Sequence, residues 1–329
     1  MQLIERNILP SRIGMAVHAA SIVPFNGHLV MAWFEGQREG DPSVYIHIHN
    51  LHGNNDELLL GNKDNMPRWN PVLFTHQNRI YLFEKAGVFC DRWQTFLHDI
   101  TDFNDTIGNK EIYQTAIVLP AGFNGPVKSK PIFENDTMYC GSSVETVYDW
   151  TSYIEAFHLS NGKLQPLWRS NPIYLPEKRT YSLAMSGQTM RTMGLIQPAL
   201  WYDGDKLKAF FRSSYGLGRI YTSSASHPYT QWSDPVATSI YNPNSGMDVL
   251  QHDGRLFVVC NPSESDRFPL VLMELDASFN VLQSLTLDTQ AESYRSPEVS
   301  YPYMIWHDGK IHCVYTYGRK NIVHSVIGI

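Results

Sequence analysis

Twelve residues able to bind, ionise or move a proton stand at matching places along this chain: His18, Glu35, Asn70, Lys85, Lys130, Glu145, Gln197, Arg212, Ser245, Asn261, Tyr301 and Arg319. They bracket six segments of one plan, in which an apolar run, a turn pair and a second apolar run follow each other. Gathered in one place, arginine and lysine would hold an anion, and carboxylates or histidine would take and return protons. Tyrosine among them could attack as a nucleophile or carry a proton. It needs a neighbouring base or cation for the first role, because an ordinary phenol ionises only near pH 10.

The elements that must position these residues are legible in the turns. Gly27, Asn78, Asp136, Gly204, Gly254 and Gly309 recur at intervals of roughly 50 to 70 residues, and Asn-Gly and Asp-Gly pairs supply the positive φ of tight hairpins. A strand-built repeat of that length predicts an all-β, six-bladed propeller occupying residues 1–329 as one domain. A hairpin begins and ends at the same edge, so six hairpins bring His18, Asn70, Lys130, Gln197, Ser245 and Tyr301, with the ends of their partner strands, to one rim. Outer strands are expected near Val44–His49, Glu111–Val118, Tyr153–Leu159, Arg219–Ser224, Leu270–Leu275 and Val281–Leu287. The stretch Glu177–Thr192 reads as an extended rim loop. Gln2–Leu9 and Asn321–Ile329 are strand-like, and one terminus is expected to complete a blade begun by the other.

With 43% hydrophobic and 12% aromatic residues the chain can bury a large core. A net charge of −6 argues against a nucleic-acid backbone as partner, which needs clustered lysine and arginine. No stretch of 18 apolar residues predicts a membrane span. Glu5 and Arg6 interrupt the apolar run a signal peptide would need, so the expectation is a cytoplasmic protein. Cys90, Cys140, Cys260 and Cys313 have no metal-site spacing and read as reduced core thiols. His47 and His49, with His52, read as polar residues on an exposed outer-strand face. Gly216-Leu-Gly218 is no dinucleotide fingerprint and Gly141-Ser-Ser143 is no nucleophile elbow. Neither metal nor organic cofactor is implied.

Several phrases are more specific. VHAASIVPFNGHLVMAWFEGQREG, RWNPVLF, GPVKSKPIF, IQPALWYDG, YNPNSGMDVLQHDGRL and SYPYMIWHDGKIHCVYTYGRKNIVH resemble, in order, the signature segments of the BNR-repeat-like family of the sialidase superfamily. The resemblance covers nearly the whole chain and implies a propeller acting on glycosidic bonds, usually of acidic sugars. It implies Tyr301 at the place of the nucleophile, Arg212 at that of a carboxylate-binding arginine, and Asp41, after Arg38-Glu39-Gly40, in the loop of the acid/base. Three departures accompany it. His18 stands where a first arginine would begin, Gln197 where a glutamate would assist the tyrosine, and Asn244-Ser245 where an arginine would open the fifth hairpin. The Asp-box survives only as Ser226-His-Pro-Tyr-Thr-Gln-Trp232.

Three functions follow as alternatives. A glycoside hydrolase would use Tyr301 as nucleophile or proton carrier and Asp41 or Glu39 as acid. Arg212 and Arg319 would bind an anion, with His18, Lys130 and Gln197 orienting the sugar. Asn70, Asn244, Glu145, Arg38, Arg267 and a stacking Trp69 complete the expected substrate-binding set. A lyase would eliminate across a uronic acid with His18 and Tyr301 as base and acid. A glycan-binding propeller would lack turnover. In each, the partner is a glycan, carboxylate-bearing in the first two.

Overall fold

The computed structural model describes residues 1–11, 16–51, 57–60, 64–102, 115–146, 149–175, 193–293 and 296–329. These residues are organised as antiparallel meanders. The first strand, β1 (Gln2–Pro10), stands apart from the run that follows it, β2 (Ala16–Phe25), β3 (His28–Gly36), β4 (Tyr45–Asn50) and β5 (Glu57–Leu60). A second sheet comprises β6 (Arg68–His76), β7 (Arg79–Ala86), β8 (Gln94–Asp99) and β9 (Ile117–Val118). An eight-stranded sheet joins two such runs. One is β10 (Ile132–Glu134), β11 (Thr137–Glu145), β12 (Asp149–Ser160) and β13 (Lys163–Arg169); the other is β14 (Met193–Asp203), β15 (Lys206–Ser213), β16 (Arg219–Ser226) and β17 (Val236–Tyr241). Their junction is a short parallel contact of Asp149 and Trp150 with Met193 and Gly194. Then come β18 (Asp248–His252), β19 (Arg255–Cys260), β20 (Leu270–Leu275) and β21 (Val281–Asp288), and last β22 (Val299–His307), β23 (Lys310–Tyr317) and β24 (Asn321–Gly328). β1 pairs antiparallel with β24 from Gln2–Gly328 to Pro10–Asn321, so the N-terminal strand covers an edge that the C-terminal strand would otherwise expose.

The hairpin turns form for the expected reason. Asn26 and Gly27 have φ of 49° and 77°, Asp253 and Gly254 47° and 73°, and Asp308 and Gly309 47° and 72°. Two successive positive φ values match the twist of the flanking strands.

Four first strands share a second feature, which decides where the side chains point. In β2, β6, β14 and β22 the register slips between His18 and Ser21, Trp69 and Val72, Ile196 and Ala199, and Ser300 and Tyr303. In each, two residues face one on the partner strand, a bulge. The first of the two is left-handed: Ala19 (φ 57°), Asn70 (36°), Gln197 (53°) and Tyr301 (55°). Proline follows in the last three, where a missing N–H is harmless because bulged residues leave the ladder. His18 therefore aligns with Trp69, Ile196 and Ser300, one place before Asn70, Gln197 and Tyr301, a shift from the repeat spacing read in the sequence.

β2 packs against both β6 and β22, β22 against β18, β18 against β14, and β14 against β11. β6 meets β10 through Phe74 and Phe133, 5.8 Å apart, and through His76 stacked on Phe133 at 4.3 Å. Trp33 and Trp201 are buried in the apolar layers, so they are not open to a sugar ring. Two sequence readings are corrected here. Cys90 is exposed in the turn Cys90–Arg92, while the other three cysteines are buried thiols. His47 is buried rather than exposed, because β4 presents it to Trp33 and to the Glu35 carboxylate at 3.1 Å. His52, residues 111–114 of the expected strand at 111–118 and the loop at 177–192 lie outside the described residues, while Ile117–Val118 form β9.

Close approach of two runs depends on Gly141. A Cβ there would fall on the carbonyl oxygen of Pro198, beside Gln197. Backbone cannot swing aside as a side chain can, so Gly141→Ala should cost at least ~1–3 kcal/mol. The check is a lowered urea midpoint with an unchanged slope.

Candidate active site

Bulges in β14 and β22 bring Gln197 and Tyr301 together, and β15 supplies Arg212 opposite Ile196. Arg212 Nη1 donates to the Tyr301 phenolic oxygen at 2.5 Å and to Gln197 Oε1 at 3.1 Å. Its Nε donates to Asn244 Oδ1 at 2.8 Å. Gln197 Nε2 donates to the same phenolic oxygen at 3.4 Å. The phenolic oxygen thus receives two N–H groups, and among the described residues no acceptor takes its own proton. That proton is available to a bound molecule, and the surrounding donors favour negative charge developing on the oxygen during a reaction.

Two further arginines lie against this group. Arg267 Cζ is 5.8 Å from the Tyr301 ring centroid, and its Nη2 donates to the Asn244 carbonyl at 3.0 Å. Arg319 and Arg267 share Glu298, at 2.8 Å and 3.1 Å, and Arg319 also reaches Glu39 at 2.8 Å. Burial opposes ionisation of Glu298, but the charges of Arg319 and Arg267 and the hydrogen bond from Arg319 act the other way and hold the carboxyl well below the usual range. Three guanidinium groups stand by Tyr301, with Glu298 and Glu39 facing two of them and the Glu145 carboxyl within the field of Arg212. A cavity of about 170 Å³, lined by Tyr215, Ser265, Asp266, Phe268, Glu298 and two of these arginines, Arg267 and Arg319, opens on their side of the site.

His18 packs against Tyr301 with ring centroids 4.1 Å apart and ring planes tilted by 47°. Its Nδ1 lies 2.8 Å from Thr316 Oγ1, which also accepts from the Ala19 N–H. Its Nε2 is buried without a protein partner among the described residues. Burial and the charge of Arg319 push the imidazole well below its usual pKa, so it is neutral.

The other expected residues distribute around this core. Asn244 belongs to it through Arg212, and Asn70 is buried at its own bulge. Trp69 is half-buried, donates to the Gly87 carbonyl at 2.8 Å and packs at 5.3 Å on Trp93. Asp41 accepts from the Ser43 N–H at 2.9 Å, which lowers its carboxyl, and Arg38 reaches it from solvent at 3.9 Å. Lys130 turns to Asp248 at 2.5 Å. Enclosure raises the Glu145 carboxyl, against the pull of Arg212, the Ser143 hydroxyl and Lys85. Lys85 is buried, bonded to Thr95 Oγ1 at 3.0 Å and to the Asn124 carbonyl, and lowered by burial to about 8. Glu35, Ser245 and Asn261 make internal contacts: Glu35 with Trp33 and His47, Ser245 with Asn261.

Sequence reasoning missed Glu298, Thr316 and Trp150, whose ring lies 5.8 Å from the Arg212 guanidinium. Glu298 had one usable signal, a lone carboxylate three residues before Tyr301 at the mouth of an apolar strand. Among the described residues no cluster of histidine, cysteine and carboxylate fit to hold a metal occurs.

The profile of the BNR repeat-like domain matches residues 27–313. The chain belongs to that family. No curated protein matches it in sequence. Among solved structures it resembles a protein of unknown function from Dyadobacter fermentans, with a TM-score of 0.74 and 12% identity over 100% of this chain and 99% of that one. It also resembles Trypanosoma rangeli sialidase bound to the inhibitor DANA, with a TM-score of 0.66, 11% identity and 96% of this chain covered. The match spans only 55% of that sialidase. The subtype N10 neuraminidase-like protein of an influenza A virus of the little yellow-shouldered bat follows, with a TM-score of 0.57 and 8% identity over 99% of both chains. This BNR repeat-like protein therefore has the all-β fold of the sialidases.

Two measurements check the electrostatics. The His18 ring resonance, assigned with His18→Gln, should stay that of a neutral imidazole between about pH 7.5 and 5.5. The unfolded chain takes up a proton there that the folded chain refuses, so His18 makes stability fall as pH drops below 6.5. A His18 resonance titrating near 6.5 contradicts this placement. Glu298→Gln should cost about 3–5 kcal/mol, because two buried arginines lose their shared counter-charge. Glu298 stabilises above its unfolded pKa of 4.5 and loses that contribution as pH falls, so the variant should show the smaller acid-induced loss in urea titrations.

Proposed function

We propose that this chain is a six-bladed propeller forming one domain over residues 1–329, and that it is a glycoside hydrolase acting on a terminal sugar that bears a carboxylate. The observation that carries the reading is the arrangement of Arg212, Arg267 and Arg319 beside the Tyr301 phenol, in a chain whose net charge is −6. Arg212 Nη2 has no protein partner among the described residues and is the natural donor to a sugar carboxylate. A structural neighbour, Trypanosoma rangeli sialidase, was solved in complex with sialic acid, itself such a sugar.

In this reading the substrate carboxylate sits on Arg212, and the phenolic oxygen of Tyr301 faces the anomeric carbon. The phenolic proton passes to the neutral His18 imidazole packed against the ring, and Arg212 and Gln197 stabilise the negative charge this leaves on the oxygen until its bond to the anomeric carbon forms. The leaving oxygen needs a proton. Glu145, whose carboxyl is raised, suits that role better than Asp41, which Ser43 holds ionised, or Glu39, which is engaged by Arg319.

Gln197 favours a second reading on the same residues. An amide at 3.4 Å from the phenol cannot accept its proton, whereas the neutral imidazole of His18 against the same ring can take one. That pairing suits β-elimination from a uronic acid, with Arg212 stabilising the enolate. Aryl sialosides, uronate oligosaccharides and neutral aryl glycosides offered as substrates separate the readings, since only elimination yields an ultraviolet-absorbing unsaturated sugar. Arg212→Ala should lower kcat/KM on the acidic substrate by about 10²–10³-fold, and Arg212→Lys should fall too, because the planar fork is lost while the charge stays. Equal turnover by wild type and Arg212→Ala would overturn the acidic-substrate reading. Absence of turnover on the whole panel would leave a binding protein.

A further inference from the structure

The backbone just after Tyr301 is held by side chains from elsewhere in the chain, Lys128 and Lys130 in the segment before β10 and Asp248 at the start of β18. Lys128 Nζ donates to the carbonyl of Pro302 and, at 2.7 Å, to that of Met247. Two residues on, the Met304 N–H donates to Asp248 Oδ2 at 2.7 Å, and Lys130 pairs with the same oxygen. Lys130 also lies 4.9 Å from the Tyr303 ring centroid, and the Tyr303 hydroxyl donates to the Leu73 carbonyl at 2.7 Å. Lys128 and Asp248 are 4% and 1% exposed. Taking an ammonium out of water is unfavourable, and among the described residues Lys128 has no direct carboxylate partner, only two carbonyl dipoles. The bulge it grips holds Tyr301 at a φ of 55°, a conformation that persists only where its surroundings enforce it.

We propose that Lys128 is a positioning residue for Tyr301: bridging the carbonyls of Pro302 and Met247, its ammonium fixes the bulge so that the phenol meets Arg212 and Gln197 and the ring meets His18. The consequence for catalysis rests on the function proposed above; the consequence for the ring does not. Without the grip on Pro302 the bulge can relax toward extended φ, and the Cα–Cβ bond of Tyr301 swings with it. Lys130, which the sequence favoured, serves Asp248 and the next turn of the strand instead.

The protonation state of Lys128 supplies an independent handle. Burial lowers its pKa to about 8, with Asp248 and Cys313 acting to raise it and Lys130 and Arg212 to lower it. A neutral amine donates more weakly than an ammonium, so the grip should slacken as pH rises through that value.

The test reads the His18 ring resonance in the intact protein, because the Tyr301 ring, 4.1 Å away, shifts it by its ring current. Lys128→Met should keep the far-UV circular dichroism of the wild type while the resonance moves toward its position without that ring beside it. An unmoved resonance in folded Lys128→Met overturns the proposal. Should that variant not fold, a wild-type titration between pH 7 and 9 decides. A shift of the same resonance with a midpoint near 8 supports the proposal if it persists in Lys85→Arg, and its absence overturns it. With a substrate in hand, Lys128→Met should lower kcat about 100-fold and change KM by less than about threefold, the pattern of a displaced reacting group. A variant with wild-type kcat overturns the proposal. If wild type turns over none of the glycans, the hydrolase reading fails while the resonance still decides the positioning.

Discussion

The left-handed bulge in the first strand of a hairpin is the constraint on which the rest of this structure depends. A regular strand would send Gln197 and Tyr301 to the faces dictated by alternation, and each would be packed between sheets or lost to solvent. One extra residue breaks the alternation and turns the side chain inward. Four strands repeat the device at Ala19, Asn70, Gln197 and Tyr301. A non-glycine residue in that conformation costs of order 1–3 kcal/mol, so each must be enforced by neighbours. At Tyr301 the enforcement comes from Lys128 and Asp248 on the backbone and from Arg212 and His18 on the side chain.

Charge is the second organising term. Three arginines close to one tyrosine would repel each other and pull the fold apart without internal carboxylates. Glu298 meets that need for Arg267 and Arg319, and Glu39 adds to it. Arg212 is treated differently. Its hydrogen-bond partners are neutral, an amide of Gln197, an amide of Asn244 and the phenol, and the carboxyl in its field, Glu145, is one that enclosure raises. The field at Tyr301 is thus shaped by which arginine is neutralised and which is left, and His18 stays neutral within it because burial and Arg319 act in the same direction.

The same hydrogen bonds serve stability and chemistry. Gly141 lets Pro198 approach, and Pro198 follows Gln197; Thr316 caps both His18 and the Ala19 N–H; Asn244 holds Arg212 through its side chain and Arg267 through its carbonyl. Few of these groups can be altered without moving another, since each joins distant parts of the chain.

What the sequence determined by itself was the set of local rules. Paired turn residues with positive φ place the hairpins, alternating apolar runs place the strands, and together they foretell an all-β repeat and the pairing of the two termini. The candidates Tyr301, Arg212, Gln197, His18 and Arg319 were legible because each is a polar residue at the edge of an apolar run. Tertiary structure alone decided the partners. Glu298 and Lys128 act across sheets, where no spacing in the chain records the contact. His18 was read one place out of register because a bulge adds a residue without changing the apolar pattern around it. Lys130 turned to Asp248, and His47 went inside to Glu35, because an enclosed polar group needs a partner, and only the packed sheets determine which one is near.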